Sequence, residues 1–240
     1  MLRVLPLSGR LVHTVNLLLF LPTLSENPQL PKTTRTLPDF SIETGITNSS
    51  KLLIAGVDEV GRGTLAGPVV AAAAILPGPV PEEYRPIIND SKALSASQRE
   101  RAFAWLVNWC VSYGVGASTA DEIDAIGIVP ATKQAMSRAI TTLEPQPDHL
   151  IIDAVDLDSI TIPQTSIIKA DSRSQSVAAA SIIAKVTRDR LMANVFDSEY
   201  PGYGFAAHKG YGTAIHMSAL QKLGASPIHR RSFKPVKDVL

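Results

Sequence analysis

From Lys51 onward the apolar residues fall into short, unbroken blocks. Leu52 to Val57 is the first, and it ends in two acids, Asp58 and Glu59; its length and abrupt polar end predict a buried strand. A glycine-rich connection from Gly61 to Pro68 leads into a second block, Val69 to Leu76. The short link predicts that these two strands lie antiparallel. Pro77, Pro79, Pro81 and Pro86 then mark a surface loop. Ser95 with Gln98 forms a capping box, and Phe103, Leu106, Val107 and Cys110 follow at i, i+3, i+4 and i+7, so a helix is predicted over 95–111. The pattern further predicts a strand at 111–117, a helix over 131–143, strands at 150–152 and 166–169, and a long helix over 174–196. This alternation is that of an α/β domain.

The first fifty residues read differently. Val15 to Leu21 is a short apolar run, and Pro22, Pro28, Pro31 and Pro38 interrupt the residues after it. Secretory and transit signals match this segment weakly, and a start codon assigned too far upstream explains it as well. Residues 1–50 are therefore expected to be a poorly ordered extension, with the packed α/β domain spanning 51–240.

Composition narrows the class. With 240 residues, 45% of them apolar, the chain can bury a sizeable core, which excludes disorder as its main state. The apolar run Val69 to Leu76 is eight residues long, well short of a membrane span. A single cysteine, Cys110, excludes an internal disulfide and an all-cysteine zinc site and suits a reducing, cytoplasmic setting. The net charge of +1 hides an asymmetry: residues 51–200 carry 13 basic and 18 acidic groups, and residues 201–240 carry six basic groups and one acid. An acidic middle with a basic end fits a metal site beside a polyanion-binding surface, although on charge alone an ordinary solvated surface is the better explanation.

Four acids share one property: Asp58, Glu59, Asp153 and Asp171 each lie at the end of a strand-like run. Gathered carboxylates repel one another, so cations must offset them. Oxygen-only ligation favours magnesium or manganese, and two such ions about 4 Å apart form a clamp for phosphodiester cleavage. Singly, each acid also has a structural explanation; Asp171 before Ser172 would serve as a helix cap. Asp153, Asp156 and Asp158 do not make a calcium loop, because the sixth position lacks Gly and the twelfth is Gln164. Gly61-Arg62-Gly63 resembles a dinucleotide fingerprint only superficially, since Ala66 replaces the third Gly and a strand comes next. Its glycines permit close backbone approach to a ligand, and Arg62 can meet a phosphate. Lys92, Arg230 and Arg231 are candidate phosphate contacts, and Tyr211 is a candidate stacking ring. His208, His216 and His229 are too irregularly spaced for a zinc site.

Taken in order, Gly56-Val57-Asp58-Glu59-Val60-Gly61-Arg62-Gly63, Asp90-Ser91-Lys92, Ile152-Asp153, Lys169-Ala170-Asp171-Ser172, the stretch Ala179 to Asp189, His208-Lys209-Gly210-Tyr211 and His229-Arg230-Arg231-Ser232-Phe233 resemble bacterial ribonuclease HII from about Leu52 to Val239. The resemblance implies a ribonuclease H-like fold, with a mixed five-stranded sheet flanked by helices and a C-terminal helical segment. It implies a monomeric endonuclease that cuts the RNA strand of RNA/DNA hybrids and incises 5′ of single ribonucleotides in duplex DNA, leaving 3′-hydroxyl and 5′-phosphate ends. By the same resemblance Asp58, Glu59, Asp153 and Asp171 hold two Mg²⁺ or Mn²⁺ ions, Gly61, Arg62 and Gly63 sense the 2′-hydroxyl, and Tyr211 stacks on the following sugar. Ala93, in place of a second Lys, and Pro227-Ile228 before a single His229 depart from the usual pattern and touch no proposed ligand. A junction resolvase would share the acids without needing the glycine turn. A non-enzymatic nucleic-acid binder would need the basic tail without the acids.

Overall fold

The computed structural model describes residues 37–47 and 51–240. Five strands form one mixed sheet: β1 (Ile54–Val60), β2 (Val69–Ile75), β3 (Ser112–Ser118), β4 (His149–Asp153) and β5 (Gln164–Ile167), in spatial order β3-β2-β1-β4-β5. β1 pairs antiparallel with β2, as the short connection predicts, and parallel with β4.

β2 shows why the sheet is covered on both faces. Its Val70, Ala72 and Ala74 pack into one core with Leu106 and Ile182, while Val69, Ala71, Ala73 and Ile75 pack into another with Met136 and Ile140. Side chains alternate across a strand, so a run of small apolar residues can serve two layers. The first layer is built from α2 (Ala96–Trp109) and α5 (Gln175–Leu191), the second from α4 (Ile128–Thr141). The Ser95–Gln98 capping box starts α2 as its sequence predicts.

Several boundaries differ from the sequence reading. A second capping box, Thr119 with Glu122, opens α3 (Ala120–Ile126), which apolar periodicity alone did not reveal. α5 ends at Leu191, where the chain widens into a π-turn over Met192–Phe196. β5 ends at Ile167, because Lys169 turns into the left-handed region at φ 57°. Beyond it lie the short α6 (Asp197–Glu199) and α7 (Phe205–His208), then α8 (Ala214–Leu223) and α9 (Lys234–Lys237), the C-terminal helical segment.

The expectation that all of residues 1–50 lie outside the fold is corrected for 38–47. Here α1 (Ser41–Thr47) docks on the start of α5. Glu43 is fully buried and accepts hydrogen bonds from the Ser174 hydroxyl at 2.6 Å and the Ser176 N–H at 2.9 Å. It thus satisfies a free donor of the α5 N-terminus, where a negative charge is also favoured. The disorder expected of residues 1–36 lies outside the described residues.

Candidate active site

Sheet register brings the first acids together. Val57 of β1 is paired with Ile152 of β4, so Asp58 and Asp153, each one residue further on, sit side by side on neighbouring parallel strands. Gly56 lets α5 close on the same edge. A Cβ there would lie 2.1 Å from the Ser176 backbone carbon, so only glycine permits this approach. α5 in turn carries Ser181, whose hydroxyl donates to the Ser91 hydroxyl at 2.9 Å, beside Lys92. Asp153 is fixed through its Oδ1, which accepts the Ala170 N–H at 3.0 Å. That contact ties β4 to the 3₁₀ turn holding Asp171 (Ala170–Ser172).

Burial and mutual repulsion disfavour the charged forms of these acids. Asp58 is pushed well above the ordinary carboxylate range, first by burial and then by Glu59 and Asp153. Burial also raises Glu59. Asp171 is pushed up to about 6 by burial, then by Asp90 and Asp153. Asp90 is a fifth acid, marked in the sequence as part of the candidate stretch Asp90-Ser91-Lys92 but not counted with the strand-end ligands, because it ends no strand-like run. Two cations stand among the five. The Lys92 ammonium is raised by Asp58, Asp90, Asp171 and Glu59 against the opposing effect of burial, and Arg62 Nη1 lies 3.5 Å from Glu59 Oε1. A cleft of about 890 Å³ is lined by Asp90, Lys92, Asp153, Lys169 and Asp171, with Ser41 from α1.

This donor set suits a hard divalent ion, being all carboxylate and destabilised as anions until a cation arrives. As the side chains stand, no three His, Cys, Asp or Glu among the described residues converge at metal-ligand spacing. A bound cation would therefore have to draw the carboxylates inward.

The glycine turn begins two residues after Glu59. Gly61 has φ +92°, and a Cβ on it would meet the Arg188 guanidinium at 2.2 Å. Arg62 and Gly63 are exposed. Two buried arginines hold the turn from behind. Arg188 donates to the carbonyls of Pro68, Ala66 and Lys209 and to the Thr64 hydroxyl, at 2.9 to 3.0 Å. Arg230 donates to the carbonyls of Gly61, Arg62 and Gly67, at 2.6 to 3.0 Å. Both side chains are fully buried.

Arg230 is thus corrected from a phosphate contact to a clamp on the turn. Every guanidinium nitrogen is already bonded to a carbonyl, and no face is left for solvent or substrate. Arg231, its neighbour, is exposed and uses only its N–H, donated to Asp124 at 2.7 Å. Lys92 is exposed as well. Tyr211 is 39% exposed and lines a second hollow of about 610 Å³ with Lys185 and Arg190. Its ring lies under the Lys185 ammonium, 5.6 Å from the centroid.

A family model described as ribonuclease HII matches residues 55–236. Ribonuclease HII of Chloroflexus aurantiacus is 52% identical over 209 residues, covering 85% of this chain and 97% of the relative. That of Ruminiclostridium cellulolyticum is 56% identical over 180 residues, covering 75% and 69%. Among solved structures, ribonuclease H2 of Pyrococcus horikoshii OT3 superposes with a TM-score of 0.63 at 29% identity, covering 78% of this chain and 96% of that one. Ribonuclease HII of Archaeoglobus fulgidus, solved in complex with PCNA, gives 0.64 at 27% identity, covering 76% and 95%. Matches of this length and identity, on a sheet that sets acids at adjacent strand ends, mean that the chain belongs to the ribonuclease HII family, metal-dependent endonucleases acting on RNA/DNA hybrids.

Proposed function

We propose that this enzyme hydrolyses the RNA strand of RNA/DNA hybrids and also incises 5′ of a single ribonucleotide embedded in duplex DNA, leaving 3′-hydroxyl and 5′-phosphate ends. The observation that carries this reading is the placement of the clamped Gly61-Arg62-Gly63 turn two residues after Glu59, on the strand that brings Asp58 to the acid cluster. A 2′-hydroxyl is the group that distinguishes RNA from DNA at one position, and sensing it needs bare backbone beside the scissile phosphate. A junction resolvase has no use for such a turn.

Asp58, Glu59, Asp153 and Asp171 are the residues that would hold two divalent ions, magnesium or manganese. Such ions supply a nucleophilic water and charge stabilisation for the leaving 3′ oxygen. The chain's own groups do the rest. Asp90 and Lys92 flank the acids, and the Lys92 ammonium offsets part of their repulsion before substrate arrives. Arg62, exposed and paired to Glu59 at 3.5 Å, can exchange that carboxylate for a substrate phosphate. Clamped carbonyls behind the turn leave its outer face free for the ribose. Tyr211 presents a ring for the following sugar, and Arg231 with Lys92 offers charge to the backbone. No helix among the described residues is long and apolar enough to cross a membrane.

Three substrates of one sequence test the reading: a duplex with one ribonucleotide, the same duplex in all-DNA form, and an RNA/DNA hybrid. Cleavage of the first and third with added Mg²⁺ or Mn²⁺, on the 5′ side of the ribonucleotide and with 3′-hydroxyl ends, is expected. Cleavage of the all-DNA duplex at a comparable rate, or none at the lone ribonucleotide, would overturn it.

A further inference from the structure

His208, His216 and His229 are irregularly spaced in sequence, yet the fold gathers them in a buried cluster that neither the acids nor the phosphate contacts use. The His208 and His216 rings are stacked with centroids 4.3 Å apart, and His216 Nε2 lies 3.0 Å from His229 Nε2. Neighbouring backbone groups decide where each proton sits. The Gly210 N–H donates to His208 Nδ1 at 3.2 Å, so His208 Nε2 carries the proton and donates to the Tyr203 carbonyl at 2.8 Å. The Ser226 N–H donates to His229 Nδ1 at 3.0 Å, so the His229 proton is on Nε2. It therefore points at His216 Nε2, which must accept. The His216 proton is then on Nδ1, and it donates to the Tyr211 carbonyl at 2.9 Å.

This is one self-consistent set of neutral tautomers, and a further proton on His216 would set two donors face to face. Burial, followed by the neighbouring imidazoles, agrees with it by depressing His229 to about 4 and lowering His216. The same residues reach the glycine turn through their backbone. Ala66 forms an antiparallel bridge with His229, the Leu65 N–H donates to the Gly210 carbonyl at 2.8 Å, and the Arg230 N–H donates to the Leu65 carbonyl at 2.9 Å. His229 is therefore held beside the segment leaving the turn by the backbone bonds of its neighbours, Ile228 accepting from the Gly67 N–H and Arg230 donating to Leu65, and its ring is bonded to the residue that holds Tyr211.

We propose that His216, oriented by His229, is a positioning residue that fixes Tyr211 at a set distance from the Gly61-Arg62-Gly63 turn, so that this imidazole relay sets the register for a lone ribonucleotide. The inference rests on the proposed roles of that turn and of Tyr211. It assigns no catalytic step to the histidines.

The test is a double-mutant cycle read on two substrates, the single-ribonucleotide duplex and a long RNA/DNA hybrid. His216→Gln keeps a polar group toward His229 but loses the donor to Tyr211. It should lower kcat/KM on the single ribonucleotide about three- to tenfold, the range set by one buried hydrogen bond, and should affect the hybrid less. His216→Asn, which can keep the donor, should recover most of that loss. In a Tyr211→Ala background His216→Gln should cost nothing further, because the two act through one contact. Additive losses, equal losses on both substrates, or an Asn variant as poor as the Gln variant would overturn the relay. If Tyr211→Ala alone leaves the single-ribonucleotide rate unchanged, the reading of Tyr211 fails and the relay fails with it. Imidazole ¹⁵N spectra of the wild-type protein test the tautomers without any variant: His216 should carry its proton on Nδ1, and His208 and His229 on Nε2. A His216 proton on Nε2 would overturn the proposal whether or not the variants fold.

Discussion

The acid cluster and the arginine clamp both bury charge within a few residues of Gly61, and they do so in opposite ways. Asp58 and Asp171 are left with their charged forms disfavoured by burial and by like neighbours. Arg188 and Arg230 are equally buried, and burial pulls them down to about 10 and about 9, so both stay charged at neutral pH. The difference is satisfaction. Each guanidinium nitrogen has a backbone carbonyl partner, whereas the carboxylates face one another and only two cations, Arg62 and Lys92. Buried charge with every partner supplied is architecture, and buried charge awaiting a partner marks a site for a ligand.

The largest expected effect breaks the comparison on the acid side. Asp153→Asn should abolish nearly all cleavage in Mg²⁺ or Mn²⁺ while leaving the melting temperature of the metal-free protein unchanged or higher, because it removes a repulsive charge. Steady-state rates and thermal melts in chelator check both halves; a wild-type rate would remove Asp153 from the metal ligands.

On the clamp side the signs reverse. Arg230→Ala removes the donor to the Gly61, Arg62 and Gly67 carbonyls, of which Gly61 keeps the Thr64 hydroxyl, and should destabilise the fold by about 2 to 5 kcal/mol, at about 1 to 3 kcal/mol for each acceptor left unpaired. Urea unfolding measures this. A change under about 1 kcal/mol would mean that the turn does not need the clamp.

A smaller effect sharpens the contrast through pH. Asp171 is raised from 3.8 to about 6 on folding, so the native state binds more protons between those values. In chelator, this group stabilises the protein as pH falls through 6, and that gain is lost as pH rises again. His229 runs the other way. Its depression from 6.5 to about 4 means that the unfolded chain binds more protons in that window, so stability falls as pH drops from 6.5 toward 4. Asp171→Asn removes the compensating gain, and its urea midpoint should fall more steeply than wild type between pH 6 and pH 4. Parallel curves would show that Asp171 is not strained in the metal-free protein.

The smallest effect concerns Arg231, the exposed partner in the arginine pair. Arg231→Ala should leave unfolding within about 0.5 kcal/mol of wild type. It should flatten the dependence of log affinity on log salt by roughly 0.9 for a single phosphate contact. An unchanged slope would place Arg231 outside the substrate path.

Adjacent residues in the sequence, Arg230 and Arg231, therefore belong to different categories, and nothing in the string His229-Arg230-Arg231 distinguishes them. Charge counting treats both as polyanion contacts. Only the packing, which turns one side chain under the glycine turn and the other to solvent, assigns them. The same holds for α1: a proline-broken segment offered no periodicity to read, and Glu43 has meaning only beside Ser174 and Ser176 of α5, more than 130 positions away.

By itself the sequence determined the strand and helix blocks of the α/β core, because hydrophobic period and capping chemistry are local. It also marked the four strand-end acids and the glycine turn, whose residue types restrict the chemistry available to them. Tertiary structure alone decided which acids become neighbours, through the parallel pairing of β1 with β4. It also added Asp90 to them, buried Arg230 and gathered three histidines around the hydrogen bond to the Tyr211 carbonyl. These are contacts between residues remote in the chain, and their energies depend on burial and on partner geometry, neither of which sequence spacing encodes.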